Sequence, residues 1–149
     1  MKKIIAFFSF LMIAFMATAQ TLNPVKWEFS SKKINDKTYE IHLKANIDNK
    51  WHIYTMDHNG DIGVPTSIKF NNNPLATISK TPKIVGKTIT ANDPSTGEKV
   101  KFHEKTFNAV YTVNLKSAVK TNLTGTLEFM ACDDKQCLPP KEVKFSVAL

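Results

Sequence analysis

The chain has 149 residues and a formal charge of +7, and its 20 basic side chains are all lysine. Without arginine it lacks the bidentate fork on which base-specific recognition leans, and its lysines are spread along the chain, so a solvated basic surface is expected and a nucleic-acid partner is not. The 42% hydrophobic share, with ten Phe and no low-complexity stretch, is that of a folded domain rather than a disordered tail.

The first 19 residues read as a cleavable signal peptide. Lys2 and Lys3 open it, an apolar run follows from Ile4 to Met16, and Ala17-Thr18-Ala19 supplies the small-x-small pattern of a cleavage site. The run is short for a bilayer span of roughly 20 residues. Export with cleavage after Ala19 is therefore expected, leaving residues 20–149 as a single domain with no membrane insertion. Removal of Lys2 and Lys3 takes the formal charge from +7 to +5.

Strand periodicity then dominates. Val25, Trp27 and Phe29 alternate with polar neighbours. Tyr39, Ile41, Leu43, Ala45 and Ile47 do the same after a polar hairpin-like connection at residues 32–37. The turn formers Asp48-Asn49-Lys50 lead into a short segment, Trp51-His52-Ile53-Tyr54. A loop at residues 57–65 follows, with Asn59-Gly60 and Ile62-Gly63. Short strands are predicted at residues 66–70 and 76–79, and a loop at residues 86–98, rich in turn formers. Strands return at residues 100–103 and 107–115. Residues 123–130 and 143–147 form a final hairpin-like pair around the segment ACDDKQCLPPKE. No amphipathic helix or internal repeat is apparent. Seven to nine short strands over one domain predict an all-β, immunoglobulin-like antiparallel β-sandwich, with a small barrel as the competing architecture.

The chemistry concentrates at Cys132 and Cys137, separated by four residues. Outside the cytosol such a pair oxidises. A bond here closes a loop of about six residues, removing only about 2 kcal/mol of unfolded-state freedom, against nearly 5 for a loop of about 100 residues. A staple gains more by joining distant strands. Spacing and compartment leave three readings open: a redox couple, a structural hairpin bridge, or part of a metal site. Asp133, Asp134, Lys135 and Gln136 make the loop solvent-facing. The two Asp disfavour a thiolate and Lys135 favours one. Pro139 and Pro140 remove two N–H donors and end strand pairing beside Cys137.

The segment FMACDDKQCLPPKEVKF resembles the N-terminal periplasmic domain of the thiol:disulfide interchange protein DsbD. That domain carries a cysteine pair on a late strand pair, followed by an aromatic or aliphatic residue and two prolines; here these are Cys132, Cys137, Leu138, Pro139 and Pro140. Trp51-His52-Ile53-Tyr54 resembles the family's aromatic strand beside the active site, and residues 100–113 the strand region after its cap loop. The resemblance implies an immunoglobulin-like fold and a periplasmic electron relay. Such a module is reduced by a thioredoxin-like domain of a membrane electron transporter and passes electrons to envelope thiol-disulfide and cytochrome c maturation proteins. It implies that Cys137 forms mixed disulfides and Cys132 resolves them, and it requires no cofactor. Two departures stand out. Better-known members have five residues between the cysteines, and the counterpart of the shielding cap loop, residues 86–98, has no aromatic residue, leaving Ile89 as a substitute. The transmembrane relay and a C-terminal thioredoxin-like part are not in this sequence, so electrons are expected from a separate protein.

On a strand, His52 and Tyr54 share one face and Trp51 and Ile53 the other. His52 and Tyr54 are then either ordinary surface residues or, as the resemblance implies, neighbours of the cysteine pair. Two rival functions remain: a structural or binding sandwich with one hairpin disulfide, and a soft-metal (copper) site built from Met130, Cys132, Cys137 and His103. A lone C-x4-C without a second pair is a poor zinc signature. No Ser/His/Asp arrangement, carboxylate pair or phosphate-binding glycine loop supports hydrolase or nucleotide chemistry.

Overall fold

The computed structural model describes residues 22–59, 61–93 and 96–149. The expected signal peptide lies outside the described residues. All elements among the described residues are β-strands, and every ladder between them is antiparallel.

The first sheet is built from β1 (Val25–Lys33), β2 (Thr38–Ile47), β9 (Thr106–Leu115) and the short β5 (Ala76–Ile78) and β6 (Lys83–Val85), both on the free side of β9. Its register puts one apolar row against the next. Ile41 lies opposite Tyr111, Leu43 opposite Ala109 and Ala45 opposite Phe107, and all six are buried. The intervening Glu40, His42, Lys44 and Asn46 stand on the outer face, as strict alternation requires. The second sheet is β12 (Lys141–Ala148), β10 (Asn122–Phe129) and β4 (Ser67–Phe70). Aromatic rings join the two sheets: Trp27 meets Phe129 at 5.5 Å between ring centroids, Phe29 meets Phe145 at 5.4 Å, and Phe70 meets Tyr111 at 5.0 Å. Gly125, opposite Phe145, leaves the space that the Phe145 ring fills. These two sheets are the immunoglobulin-like sandwich anticipated from the periodicity.

A third sheet was not anticipated. It has four strands in the order β11 (Ala131–Cys132), β3 (His52–Tyr54), β8 (Lys99–Glu104) and β7 (Thr88–Asn92). The chain enters it from β2 through the turn at Asp48, where the Trp51 amide donates to the Asp48 carbonyl at 3.1 Å and Lys50 takes φ 71°. It leaves between β8 and β9 through Lys105 alone, at φ 61°. Further short connections, residues 86–87 between β6 and β7 and Met130 between β10 and β11, also tie this sheet to the sandwich. The expected loop at residues 86–98 is corrected in part, because β7 occupies Thr88–Asn92. Ile89 and Ala91 are weak apolar marks among threonines, and the flanking Gly and Pro outweigh them in a sequence window.

Candidate functional site

Cys132 and Cys137 are joined by a disulfide. Cys132 continues the chain beyond β10 as the second residue of β11 and is 1% exposed, whereas Cys137 lies at the surface. The loop between them is a tight turn. The Asp133 amide donates to the Gln136 carbonyl at 2.9 Å, and the Asp133 Oδ1 accepts the amides of Lys135 and Gln136, both at 2.8 Å. Those two amides hold the Asp133 carboxyl below the usual carboxylate range. Cys137 then forms a lone antiparallel bridge with Cys132, and the Leu138 amide donates to the Ala131 carbonyl at 2.8 Å. Pro139 and Pro140 have no amide to continue the ladder, so pairing stops until β12. The spacing of the two cysteines did not reveal which sulfur would be buried. The clue was Phe129-Met130-Ala131, an apolar run that carries Cys132 inward.

The face of the third sheet that bears Cys132 is read across the strands. Cys132 lies opposite His52, and His52 opposite Glu104. One step along, Tyr54 lies opposite Phe102, and Phe102 opposite Ile89. Tyr54 is 3% exposed and its hydroxyl is 3.9 Å from Cys132 Sγ. Since a disulfide sulfur carries no proton, the phenol is the donor and the sulfur the acceptor. Phe102 and Met130 pack against the cluster of Tyr54, Val100 and Cys132. Phe102 thus places an aromatic ring against this cluster, where the cap segment has none. Its alternation with His103 was visible in the sequence, but which face met the cysteines was not. Ile53, on the opposite face, is fully buried in the sandwich core, and Trp51 packs against that core.

The reading of His52 and Tyr54 as ordinary surface residues does not hold. His52 is half-buried, its ring 4.6 Å from Phe102 and 5.6 Å from Tyr54 between centroids. Burial pushes its imidazole below the usual range, while the carboxylates of Glu104, Asp134 and Asp133 pull it partly back. Burial also raises the Tyr54 phenol, and the Asp93 charge adds to the rise, so this hydroxyl keeps its proton at neutral pH.

His103 does not join this face. It pairs with Ile53, its ring lies 4.9 Å from Phe107, and its Nδ1 is 3.1 Å from the Lys87 carbonyl oxygen. Among the described residues no group of three or more His, Cys, Asp or Glu side chains is placed to hold a metal ion. Beside Cys137, the proline pair opens onto an apolar groove of about 350 Å³, lined by Phe129, Ala131, Leu138, Pro139, Pro140 and Leu22 among others.

A family model described as "Thiol:disulfide interchange protein DsbD, N-terminal" matches residues 18–149. Among solved structures, the chain is similar to the reduced N-terminal domain of DsbD from Neisseria meningitidis, with 14% identity and a TM-score of 0.55 over 86% of this chain and 90% of that one. It is also similar to a chain in the complex between the DsbD and PilB N-terminal domains of the same organism, with 17% identity and a TM-score of 0.50 over 85% and 87% of the two chains. At these identities the structural likeness establishes the fold. No curated protein matches the chain significantly.

Proposed function

The chain belongs to the family of the N-terminal domain of the thiol:disulfide interchange protein DsbD, a thiol–disulfide exchange module with a cysteine pair, and from that premise we propose that it relays reducing equivalents between envelope proteins through Cys132 and Cys137. The observation that carries this reading is the asymmetry of the pair. Cys137 is an exposed residue, and Cys132 is 1% exposed, which makes Cys137 the cysteine open to a partner in this reading.

In the reduced state the Cys137 thiolate attacks one sulfur of a partner's disulfide, and the partner's other sulfur leaves as a thiol. The Cys132 thiolate then attacks the Cys137 sulfur of the mixed disulfide. The 132–137 bond re-forms and the second partner sulfur departs. Two electrons have passed to the partner. Recharging runs the same steps in reverse, with a donor thiolate attacking Cys137 and Cys132 leaving.

The donor in this reading is the thioredoxin-like domain of a membrane electron transporter. The recipients are envelope thiol–disulfide proteins and cytochrome c maturation proteins. The solved complex of the Neisseria DsbD and PilB N-terminal domains supports a protein partner at this domain type. The setting is the periplasm, reached by way of a signal peptide that is removed after Ala19. His52, Tyr54, Pro139 and Pro140 border the exchanging sulfurs, the first two on the enclosed side and the prolines on the open one.

Single-cysteine variants test the order of attack. Cys132→Ser activated at Cys137 as a mixed disulfide with a small aromatic thiol, then mixed with a reduced transporter domain that keeps only its attacking cysteine, is expected to accumulate the inter-protein disulfide as the aromatic thiol leaves, and Cys137→Ser treated alike is not. Trapping only with Cys137→Ser reverses the assignment.

A further inference from the structure

The loop between β3 and β4, which follows the site strand, is organised around one side chain. The Tyr54 ring stacks on the His58 ring, with centroids 4.7 Å apart and planes 25° from parallel. His58 is 4% exposed, and its Nε2 lies 2.6 Å from the Ile62 carbonyl oxygen, so the ring is fixed by its own loop. Gly63, at φ 79°, lies so close to the Tyr54 ring that a Cβ there would overlap the Tyr54 carbons. The buried Thr66 hydroxyl donates to the Tyr54 carbonyl at 2.7 Å. None of these contacts is needed to fill the sandwich core, which the Ile53 side of the strand serves. Their common effect is to hold the phenol hydroxyl at the enclosed sulfur.

We propose that Tyr54 is the hydrogen-bond donor to the Cys132 sulfur as that sulfur leaves, and that His58 and Gly63 are the positioning residues that aim it. The proposal rests on the exchange reading above and assigns it a direction. When an incoming thiolate attacks Cys137, the S–S bond breaks and its electron pair goes to Cys132, buried among Val100, Phe102 and Met130. A thiolate in apolar surroundings is poorly stabilised, so its departure is slow unless a donor faces it. The Tyr54 hydroxyl is the buried donor at that sulfur, and no such donor is needed at the solvated Cys137. The same hydrogen bond favours Cys132 as a thiolate in the return step, when it attacks Cys137 in the mixed disulfide.

The test follows the reduction of the oxidised mature chain by dithiothreitol at neutral pH, together with the pKa of the Cys132 thiol in Cys137→Ser, read by the pH dependence of iodoacetamide alkylation. Tyr54→Phe keeps the ring and its packing and removes only the hydroxyl. It is expected to slow reduction by about tenfold, the rate equivalent of one hydrogen bond to a charged group, and to raise the Cys132 pKa. His58→Ala is expected to slow reduction less. The Tyr54→Phe/His58→Ala double variant is expected to be no slower than Tyr54→Phe alone, because His58 acts only through the phenol. Equal rates and equal Cys132 pKa values in wild type and Tyr54→Phe overturn the proposal, and additive slowing in the double variant overturns the positioning role of His58. A wild-type disulfide that resists dithiothreitol in the folded protein removes the exchange reading itself, an outcome distinct from either.

Discussion

In the sandwich, β2 and β9 are each ten residues long and pair from Thr38 to Asn46, with every second side chain in a common core. In the third sheet, β3 has three residues and β11 two. There the enclosed face holds a sulfur, a phenol, an imidazole and a phenylalanine rather than an aliphatic row. Fold stability and sulfur chemistry are thus assigned to different sheets, joined by short connections at Asp48, residues 86–87, Lys105 and Met130. A short strand contributes little burial, but its register is fixed on both sides by β11 and β8, which is what a pair of sulfurs and a donor hydroxyl require. Substitutions in the two regions should therefore move different observables.

The largest effect on stability belongs to the sandwich. Phe107→Ala removes a fully buried ring that packs against Trp27 and is expected to destabilise the domain by about 3–5 kcal/mol in urea unfolding. If the protein stays folded, its disulfide potential should barely move; a large change would erase the separation of the two regions. Loss of the disulfide comes next. Cys132→Ser/Cys137→Ser opens a loop with a sequence separation of 5, and the expected loss is only about 2 kcal/mol, read from the same unfolding curves, while exchange disappears. A loss as large as that of Phe107→Ala would make the bond a staple.

A smaller effect is pH-dependent. Burial lowers the His52 pKa in the folded protein, so the unfolded chain takes up the proton first as pH falls. The stability linked to His52 is fully present above its ordinary value of 6.5 and is lost as pH falls below it toward the depressed folded value. His52→Gln should flatten the fall in urea midpoint between about pH 7.5 and 5.5; an unchanged slope would place the titration elsewhere, with buried His103 the next candidate. The smallest effect is at Lys33, whose exposed pair with Asp36 at 2.8 Å lies on the β1–β2 turn. Lys33→Ala is expected to leave both unfolding and exchange unchanged, as exposed pairs in water do.

The sandwich was legible because its strands alternate cleanly. Val25, Trp27 and Phe29, and then Ile41, Leu43, Ala45 and Ile47, announce one inward face each. The third sheet was not, for a physical reason: its strands are too short to show a period. Thr88–Asn92 offers only Ile89 and Ala91, and β11 is two residues beyond a ladder that already ends at Phe129. The cysteine pair was legible from its spacing and the prolines after it. The burial of Cys132 and the neighbours that enclose it depend on which strands lie side by side. Phe102 reaches Tyr54 from 48 positions along the chain, a separation given by the register itself, and no local pattern carries that. The same holds for His58, which lies in the turn-rich stretch at residues 57–65 and is a buried ring against Tyr54.

The central claim is that the Cys132–Cys137 bond is a working couple, and its reduction potential tests this most directly. The mature chain would be equilibrated with glutathione redox buffers and its free thiols counted by mass after alkylation. A working couple is expected to have a potential within the exchangeable range of roughly −270 to −120 mV. A value below about −300 mV, where structural disulfides lie, would contradict it and leave a sandwich held by a permanent bridge.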